Sequence, residues 1–484
     1  MASAMLSILQ TNAVHNLIPK REKTKKQKSL LKALVELNAR QWAEFGTGWL
    51  AWICDSIDFY SVSLSVTNLS TQFGKDTTDI TRAITLTLLL RPVGAILFGM
   101  ISDRYGRKYP LALNLLFISC LELGAGFVQT YSEFLALRSL FGIAMGGIWG
   151  LAASTGLENL PVETRGLASG ILQEGYAVGC LVAAIIDLSL VPEQAHSWRA
   201  LFWCAAGITR AYARIHEESR GRRTHGLHRT KIFLNETKKM LRRHWILCIY
   251  AVVFMSGFNF LSHGSQDLFP TYIQISKGFS AHDATIMTII GFCGAIMGGA
   301  VSGSVSQYIG RRLSMILFVL LGALFIPLWI LPNSFAGLAV GAFCVQFGLQ
   351  GSWGAMAIHL AEMSPPAFRA TFPGVVYQVG NMASSASAQI EAIGGNNLKT
   401  TISVPDSMTN PTGQKVVPDY GRVQAFTIIV TAVGPEHHGY EFEKHRVAFE
   451  EGGADNDAVM TEEVPEEMDE AFAGKDDAIM VGNV

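Results

Sequence analysis

Apolar runs of about twenty residues recur along the chain, separated by short polar connections. At about 1.5 Å of rise per residue, each run is long enough to cross the hydrocarbon core of a bilayer, roughly 30 Å thick. The pattern predicts spans over residues 45–66, 83–101, 111–128, 134–154 and 167–191 in the first part of the sequence. In the second part it predicts a span starting near Trp245, then spans over 284–305, 313–331, 336–360 and 370–392. Two further runs, Trp198 to Ile208 and Val423 to Val433, are short. About ten apolar residues reach about 15 Å, half the thickness of the core. Between the last two runs, residues 394–419 read as a polar external loop.

Composition sharpens the picture. Of 484 residues, 49% are hydrophobic and 16% charged, against about 25% charged in a soluble domain. The fold class is therefore an all-α membrane protein with nominally twelve spans, the sixth and twelfth truncated. A soluble enzyme is excluded, no nucleotide-binding loop suggests an ATP-driven pump, and nothing points to nucleic acid. The seven cysteines stand singly in apolar runs with no C-x-x-C spacing, so they read as core residues and not as a disulfide framework or a metal site. No cofactor is expected. The first forty residues are polar and basic, with no cleavable signal peptide, so the first span acts as its own signal.

The net charge of -1 conceals a segregation of sign. Lys20, Arg21, Lys23, Lys25, Lys26, Lys28 and Lys32 precede the first span, and basic flanks stay cytoplasmic. The chain divides into a cytoplasmic tail (1–44), a first half (45–209), a basic cytoplasmic linker (210–244), a second half (245–434) and an acidic, solvated cytoplasmic tail (435–484). The linker is either an ordinary positive-inside loop or a binding site for anionic lipid.

Displacing the sequence against itself by 204 residues aligns several positions without a gap. Gly99, Gly106 and Arg107 meet Gly303, Gly310 and Arg311; Trp149-Gly150 meets Trp353-Gly354; Glu158, Pro161 and Arg165 meet Glu362, Pro365 and Arg369. One shift for all of them marks two six-helix units in the same orientation. Parallel six-helix repeats place a substrate site near the membrane midplane, between the halves.

Polar groups inside spans are expensive and mark candidate sites. Arg91 stands in the middle of the second span, where a guanidinium pairs bidentately with a carboxylate. The plainer reading is a structural ion pair with Asp58 or Glu122. Arg138 is either a second anion contact or an interfacial, snorkelling arginine. In the seventh span Asn259, Ser262, His263, Gln266 and Asp267 fall within an arc of roughly 140° on one helix face. That stripe faces a bundle interior or a water-filled cavity. Imidazole titrates near neutral pH, so His263 with Asp267 four residues on is a candidate proton-coupling pair. The plainer alternative is a hydrogen-bonded histidine that fixes helix packing. Asn259 and Gln266 offer amide donors to a carboxylate, and Gln378 and Asn381 on span 11 could complete the pocket. Asp55 and Asp58 fit proton sites or structural partners equally well. Glu158, Arg165, Glu362 and Arg369 stand at cytoplasmic helix ends, where charges control opening without touching substrate.

Gly99-x-x-x-Asp103-Arg104-x-Gly106-Arg107-Lys108 resembles the signature loop of the major facilitator superfamily, whose second copy here has Gln307 in place of Asp103. The resemblance implies the major facilitator fold, and gating roles for Asp103, Arg104 and Arg107. Asn259-x-x-Ser262-His263-x-Ser265-Gln266-Asp267-x-x-x-Thr271 is similar to the span-7 signature of the fungal lactate/pyruvate–proton symporters of the Jen family. That likeness covers most of residues 40–205 and 230–450, including Glu391 and the segment Gly434 to Gly439. It implies uptake of short monocarboxylates together with protons by alternating access at the plasma membrane, with ubiquitin-dependent endocytosis acting through the tails. The sequence departs from that family at residues 210–229, where members complete the sixth span. The Arg- and His-rich composition there resembles out-of-frame or intronic sequence, and the gap in the twelfth span resembles a misplaced splice. A competing reading is a carboxylate sensor that keeps the pocket without transporting; another is a major facilitator transporter of a different organic anion.

Overall fold

The computed structural model describes residues 30–105, 108–157, 160–191, 198–218, 238–364, 371–397, 399–403 and 414–418. The first half comprises α1 (Leu30–Val35), α2 (Ala39–Phe73), α3 (Thr77–Tyr105), α4 (Lys108–Ala125), α5 (Tyr131–Met145), α6 (Ile148–Leu157), α7 (Val162–Leu190) and α8 (Trp198–Glu218). The second comprises α9 (Trp245–Gln266), α10 (Phe269–Thr271), a π-helical turn (Tyr272–Ser276), α11 (Ala281–Ile309), α12 (Arg311–Leu324), α13 (Ile326–Ile330), α14 (Phe335–Trp353), α15 (Met356–Met363), α16 (Thr371–Ser384) and α17 (Ser387–Asn397). Among the described residues, six helices are long and apolar enough to cross a membrane. Their outward faces carry large apolar side chains such as Leu97, Ile185, Val253, Val301 and Val340, as a lipid-facing bundle requires.

The 204-residue shift is visible in the packing. A Cβ on Gly94 of α3 would lie 1.7 Å from the carbonyl oxygen of Ile143, and a Cβ on Gly298 of α11 would lie 2.1 Å from that of Phe347. Both members move by the same amount (298 − 94 = 204; 347 − 143 = 204), so one glycine-mediated backbone contact is built twice. Small residues are what let two helices approach so closely. The halves meet along two crossings, α7 with α11 and α3 with α16. The repeat exchanges these crossings, so they are one contact seen from each half.

Two spans are interrupted where the site lies. Span 4 breaks between Met145 and Ile148, at Gly146 and Gly147. Span 7 changes geometry after Gln266: Pro270 lies in the first turn of α10, and the helix then widens into the π-helical turn. Proline supplies no backbone donor, and π-type turns recur at functional sites.

The sixth span is short in apolar length, as its hydropathy predicts, and α8 is not among the six helices apolar enough to cross a membrane, yet the helix itself continues. α8 runs for 21 residues, well past the apolar segment that ends at Ile208. Its polar continuation is amphipathic. Thr209 is fully buried and donates to Asp58 (3.0 Å), and the Tyr212 hydroxyl donates to the carbonyl of Thr47 (2.6 Å). Ala205, Ala206 and Ala213 pack beside them. Counting apolar residues missed this continuation because only one of its faces is buried. The region read as a polar loop carries an antiparallel strand pair, Lys399–Ser403 with Gln414–Pro418. Arg107, Glu158, Arg369, the predicted twelfth span, the acidic tail and most of the basic linker lie outside the described residues. Asp103 and Arg104 lie on the last turn of α3.

Candidate functional site

Arg91 is buried near the middle of α3. It pairs with neither Asp58 nor Glu122. Its guanidinium lies over the ring of Phe59, with the Cζ 4.7 Å from the centroid, and an Nη donates to the sulfur of Met145 (2.7 Å). Its Nε has no partner. Asp55 on α2 is fully buried, both of its oxygens are without hydrogen-bond donors, and the Arg91 charge acts on it. An arginine with donors to spare next to a carboxylate with acceptors to spare is a polarised, unsatisfied pair in the centre of the first half.

Arg138, by contrast, does not snorkel. It is fully buried, donates to Glu122 at 2.6 Å, and stacks against Phe141 and Phe202 with its Cζ 4.7 and 4.9 Å from their centroids. That pair occupies Glu122 and leaves Arg91 free of it.

His263 on α9 faces the same Phe59 ring, centroid to centroid at 5.9 Å. Its Nδ1 meets the Asp267 carboxylate at 3.1 and 3.3 Å, and its Nε2 meets Oδ1 of Asn381 at 2.9 Å. Two backbone carbonyls fix the direction of this chain. The Gln378 amide nitrogen donates to the Gly146 carbonyl (3.2 Å), so its oxygen faces Asn381. The Asn381 amide nitrogen donates to that oxygen (2.8 Å) and to the Tyr377 carbonyl (3.3 Å), so its own oxygen faces His263. Nε2 therefore carries a hydrogen. A further proton between Nδ1 and Asp267 makes the pair neutral, as imidazolium–carboxylate or as imidazole–carboxylic acid. Without it the pair carries one negative charge.

The predicted residues therefore separate into two groups. Arg91, His263, Asp267, Gln378 and Asn381 form one ring of contacts, closed through Phe59 and through Met145-Gly146. Asn259 and Gln266 turn elsewhere. Asn259 donates to the Met255 carbonyl of its own helix (2.9 Å), and Gln266 donates to Gln346 on α14 (3.0 Å). Ser262 accepts from Gln350 (3.0 Å). The Gln266 oxygen is buried without a donor and borders a narrow recess lined by Tyr60, Thr288, Trp329 and Gln346. Sequence reading missed Phe59 and Met145. The repeat held the signal for Phe59, because 59 + 204 = 263 makes it the counterpart of His263.

The halves touch on both sides of this ring. Toward one face Gln307 donates across the halves to the Glu163 carbonyl (3.2 Å), and beside it, within the second half, Arg311 pairs with Glu362 (3.2 Å). Arg165 stands on the same side and donates to the Leu160 carbonyl (2.9 Å). Toward the other face Gln389 donates to the Thr78 carbonyl (2.7 Å), and Thr67 donates to Gln274 (3.2 Å). The ring is enclosed.

Residues 48–388 match the family model of the Major Facilitator Superfamily. The chain belongs to that superfamily. A carboxylic acid transporter protein homolog of Saccharomyces cerevisiae is 32% identical over 382 residues, covering 74% of this chain and 62% of the yeast protein. The chain thus spans less than two thirds of that relative's length. A probable 4-methylmuconolactone transporter of Cupriavidus pinatubonensis is 27% identical over 387 residues, 76% of this chain and 86% of that one. Among solved structures, a proton:xylose symporter superposes with a TM-score of 0.59 at 15% identity, covering 72% of this chain and 88% of that one. Fold and relatives alike are those of multi-pass membrane transporters, and a carboxylic acid transporter stands among the relatives.

Proposed function

We propose that this superfamily member is a symporter of protons and short-chain monocarboxylates of the lactate, pyruvate and acetate class, working by alternating access in the plasma membrane with both termini cytoplasmic. The observation that carries the reading is the meeting of Arg91 and His263 on one phenylalanine ring between the halves. A carboxylate needs a buried cation with unused donors, which Arg91 is. A proton needs a titratable group within reach of the same pocket, which the His263–Asp267 pair supplies. Entering together, anion and proton add no net charge, which lowers the cost of crossing a low-dielectric path. Gln378 and Asn381 orient the imidazole and bridge the halves. Asn259 and Gln266 supply amide groups to the far end of a bound acid once the halves move apart. Asp103, Arg104, Arg107, Glu158, Arg165, Glu362 and Arg369 hold the helix ends in each conformation.

The test is labelled lactate uptake at acidic and neutral external pH, in cells lacking their own carboxylate carriers and expressing this sequence. Faster uptake at acidic pH, abolished by a protonophore and competed by pyruvate and acetate but not by longer organic anions, is the expected result. Surface protein without lactate uptake overturns the reading. Lactate binding without uptake would then favour the sensor.

A further inference from the structure

The crossing of α7 and α11 encloses a carboxyl group that the transport site does not use. Glu174 is 4% exposed and lies near the middle of the 29-residue α7. Its Oε1 would stand 1.7 Å from a Cβ placed on Gly299, so the carboxyl rests against the bare Cα of that glycine. The carbonyl oxygen of Gly299 is held equally closely from its other side. Cβ atoms on Gly170 and Gly354 would lie 2.5 and 2.3 Å from it. Three turns thus converge on Gly299, two from the first half and one from the second: the Glu174 and Gly170 turns of α7, and the Gly354 turn after α14. The Glu174 side chain lies flat against the glycine at this closest approach.

Glu174 makes no hydrogen bond or ion pair among the described residues, and no charge there acts on it. The neighbouring elements do carry charges, but these are engaged elsewhere. On α2, Asp58 accepts from Thr209 and Asp55 lies in the field of Arg91. On α8, Arg199 donates to the carbonyls of Gly126 and Val128. On α15, Glu362 pairs with Arg311, and His359 packs on Phe254. Aspartate, histidine and tyrosine on α11 lie at its two ends, and α6 carries no titratable side chain. An ionised carboxylate without partner or water is among the most costly groups to bury, whereas a neutral carboxylic acid is far cheaper.

We propose that Glu174 is a proton-binding residue of the crossing between the halves, neutral while α7 and α11 are closed on each other and ionised when they part and water reaches it. Closing the crossing takes up one proton from water, and opening it returns one. The equilibrium between closed and open crossings then depends on pH, and acid favours the closed form. This proton site is separate from His263–Asp267. It acts on the movement of the halves, so it rests on the symport reading only for its effect on transport.

The experiment reads conformation first. Spin labels on cysteines at Ser189 and His282, in an otherwise cysteine-free full chain in liposomes, report the separation of α7 and α11 at the end where Thr285 meets Asp187. The long-distance population should grow as pH rises from about 5 to about 8, and Glu174→Gln should hold the short distance throughout. Glu174→Asp should restore the pH dependence. A wild-type distance indifferent to pH, or a Glu174→Gln chain that titrates like wild type, overturns the proposal. Should Glu174→Gln not fold, Gly299→Ala decides, because its Cβ expels the carboxyl: the open population should rise at every pH, and an unchanged titration overturns the proposal. In transport, Glu174→Gln, held closed, should lower substrate exchange and gradient-driven accumulation together, each about tenfold, at unchanged surface protein. Labels that titrate in a chain carrying no carboxylate would sink the symport reading and leave this one standing.

Discussion

Phe59 and His263 are equivalent positions of the two halves, and their rings meet at 5.9 Å between those halves. Arg91 lies over the same phenylalanine with its Cζ 4.7 Å from the centroid. One aromatic ring thus separates the fixed cation of the first half from the titratable group of the second. The arrangement sets the guanidinium and the imidazole apart against one ring. It also ties the site to the repeat, because the position that is phenylalanine in one copy is histidine in the other.

Replacing His263 tests the proton role. His263→Ala removes the only titratable ring in the contact chain that runs from Asp267 through Asn381 to Gln378. Uptake at acidic pH should fall toward the neutral value, bringing their ratio to about one. Asn381→Asp is the subtler test: a carboxylate facing Nε2 holds the imidazole protonated and should move the pH profile of uptake to higher pH. Profiles measured with labelled substrate check both, and a wild-type profile in His263→Ala would falsify the assignment.

Arg91→Lys keeps the charge and removes the fork. An ammonium supplies one point contact where a guanidinium supplies two parallel donors, and its shorter reach also abandons the Phe59 ring. Losing a charge-assisted hydrogen bond costs about 1.5–3 kcal/mol, so kcat/KM for the carboxylate should fall about tenfold or more. The chain should still reach the membrane. Initial rates across substrate concentrations, normalised to surface protein, provide the check.

The Arg138–Glu122 pair is structural, and its removal should be read in stability. Breaking a buried ion pair from one side strands the other charge, at a cost of about 3–5 kcal/mol. Glu122→Leu alone should therefore lower the melting temperature in detergent more than the double change Glu122→Leu/Arg138→Met. Additive losses would show that the two side chains act independently.

Much of this was legible before any coordinates. Apolar run lengths marked the six helices long and apolar enough to cross a membrane, and the 204-residue shift anticipated the glycine contact built twice. The stripe at His263 and Asp267 was visible because polar residues at helical spacing stand out against an apolar background. What stayed hidden depends on which neighbour a side chain meets. Gln266 shares a face with His263 yet turns to Gln346, and Asn259 satisfies itself on Met255. Arg138 could not be assigned because an arginine near a span end is compatible with lipid headgroups or with a buried glutamate. α8 was underestimated because hydropathy averages around a helix, whereas burial uses one face.

The duplicated glycine contact gives the sharpest test of the fold. Gly94→Ala would drive a methyl group to 1.7 Å from the Ile143 carbonyl oxygen, and Gly298→Ala to 2.1 Å from that of Phe347. The obstacle in each case is helix backbone, so the helices must separate, and overpacking of this kind costs about 1–3 kcal/mol or more. A methyl group added at Gly207 on α8 would meet nothing within 4 Å, and alanine is the better helix former, so Gly207→Ala should be neutral or mildly stabilising. The three single variants should therefore split in thermal stability in detergent, with Gly94→Ala and Gly298→Ala lowered together by several degrees and Gly207→Ala at or above wild type. The symmetry argument requires the first two to move in the same direction. A Gly298→Ala chain as stable as wild type beside a crippled Gly94→Ala would mean that the halves share a pattern without sharing its energetics.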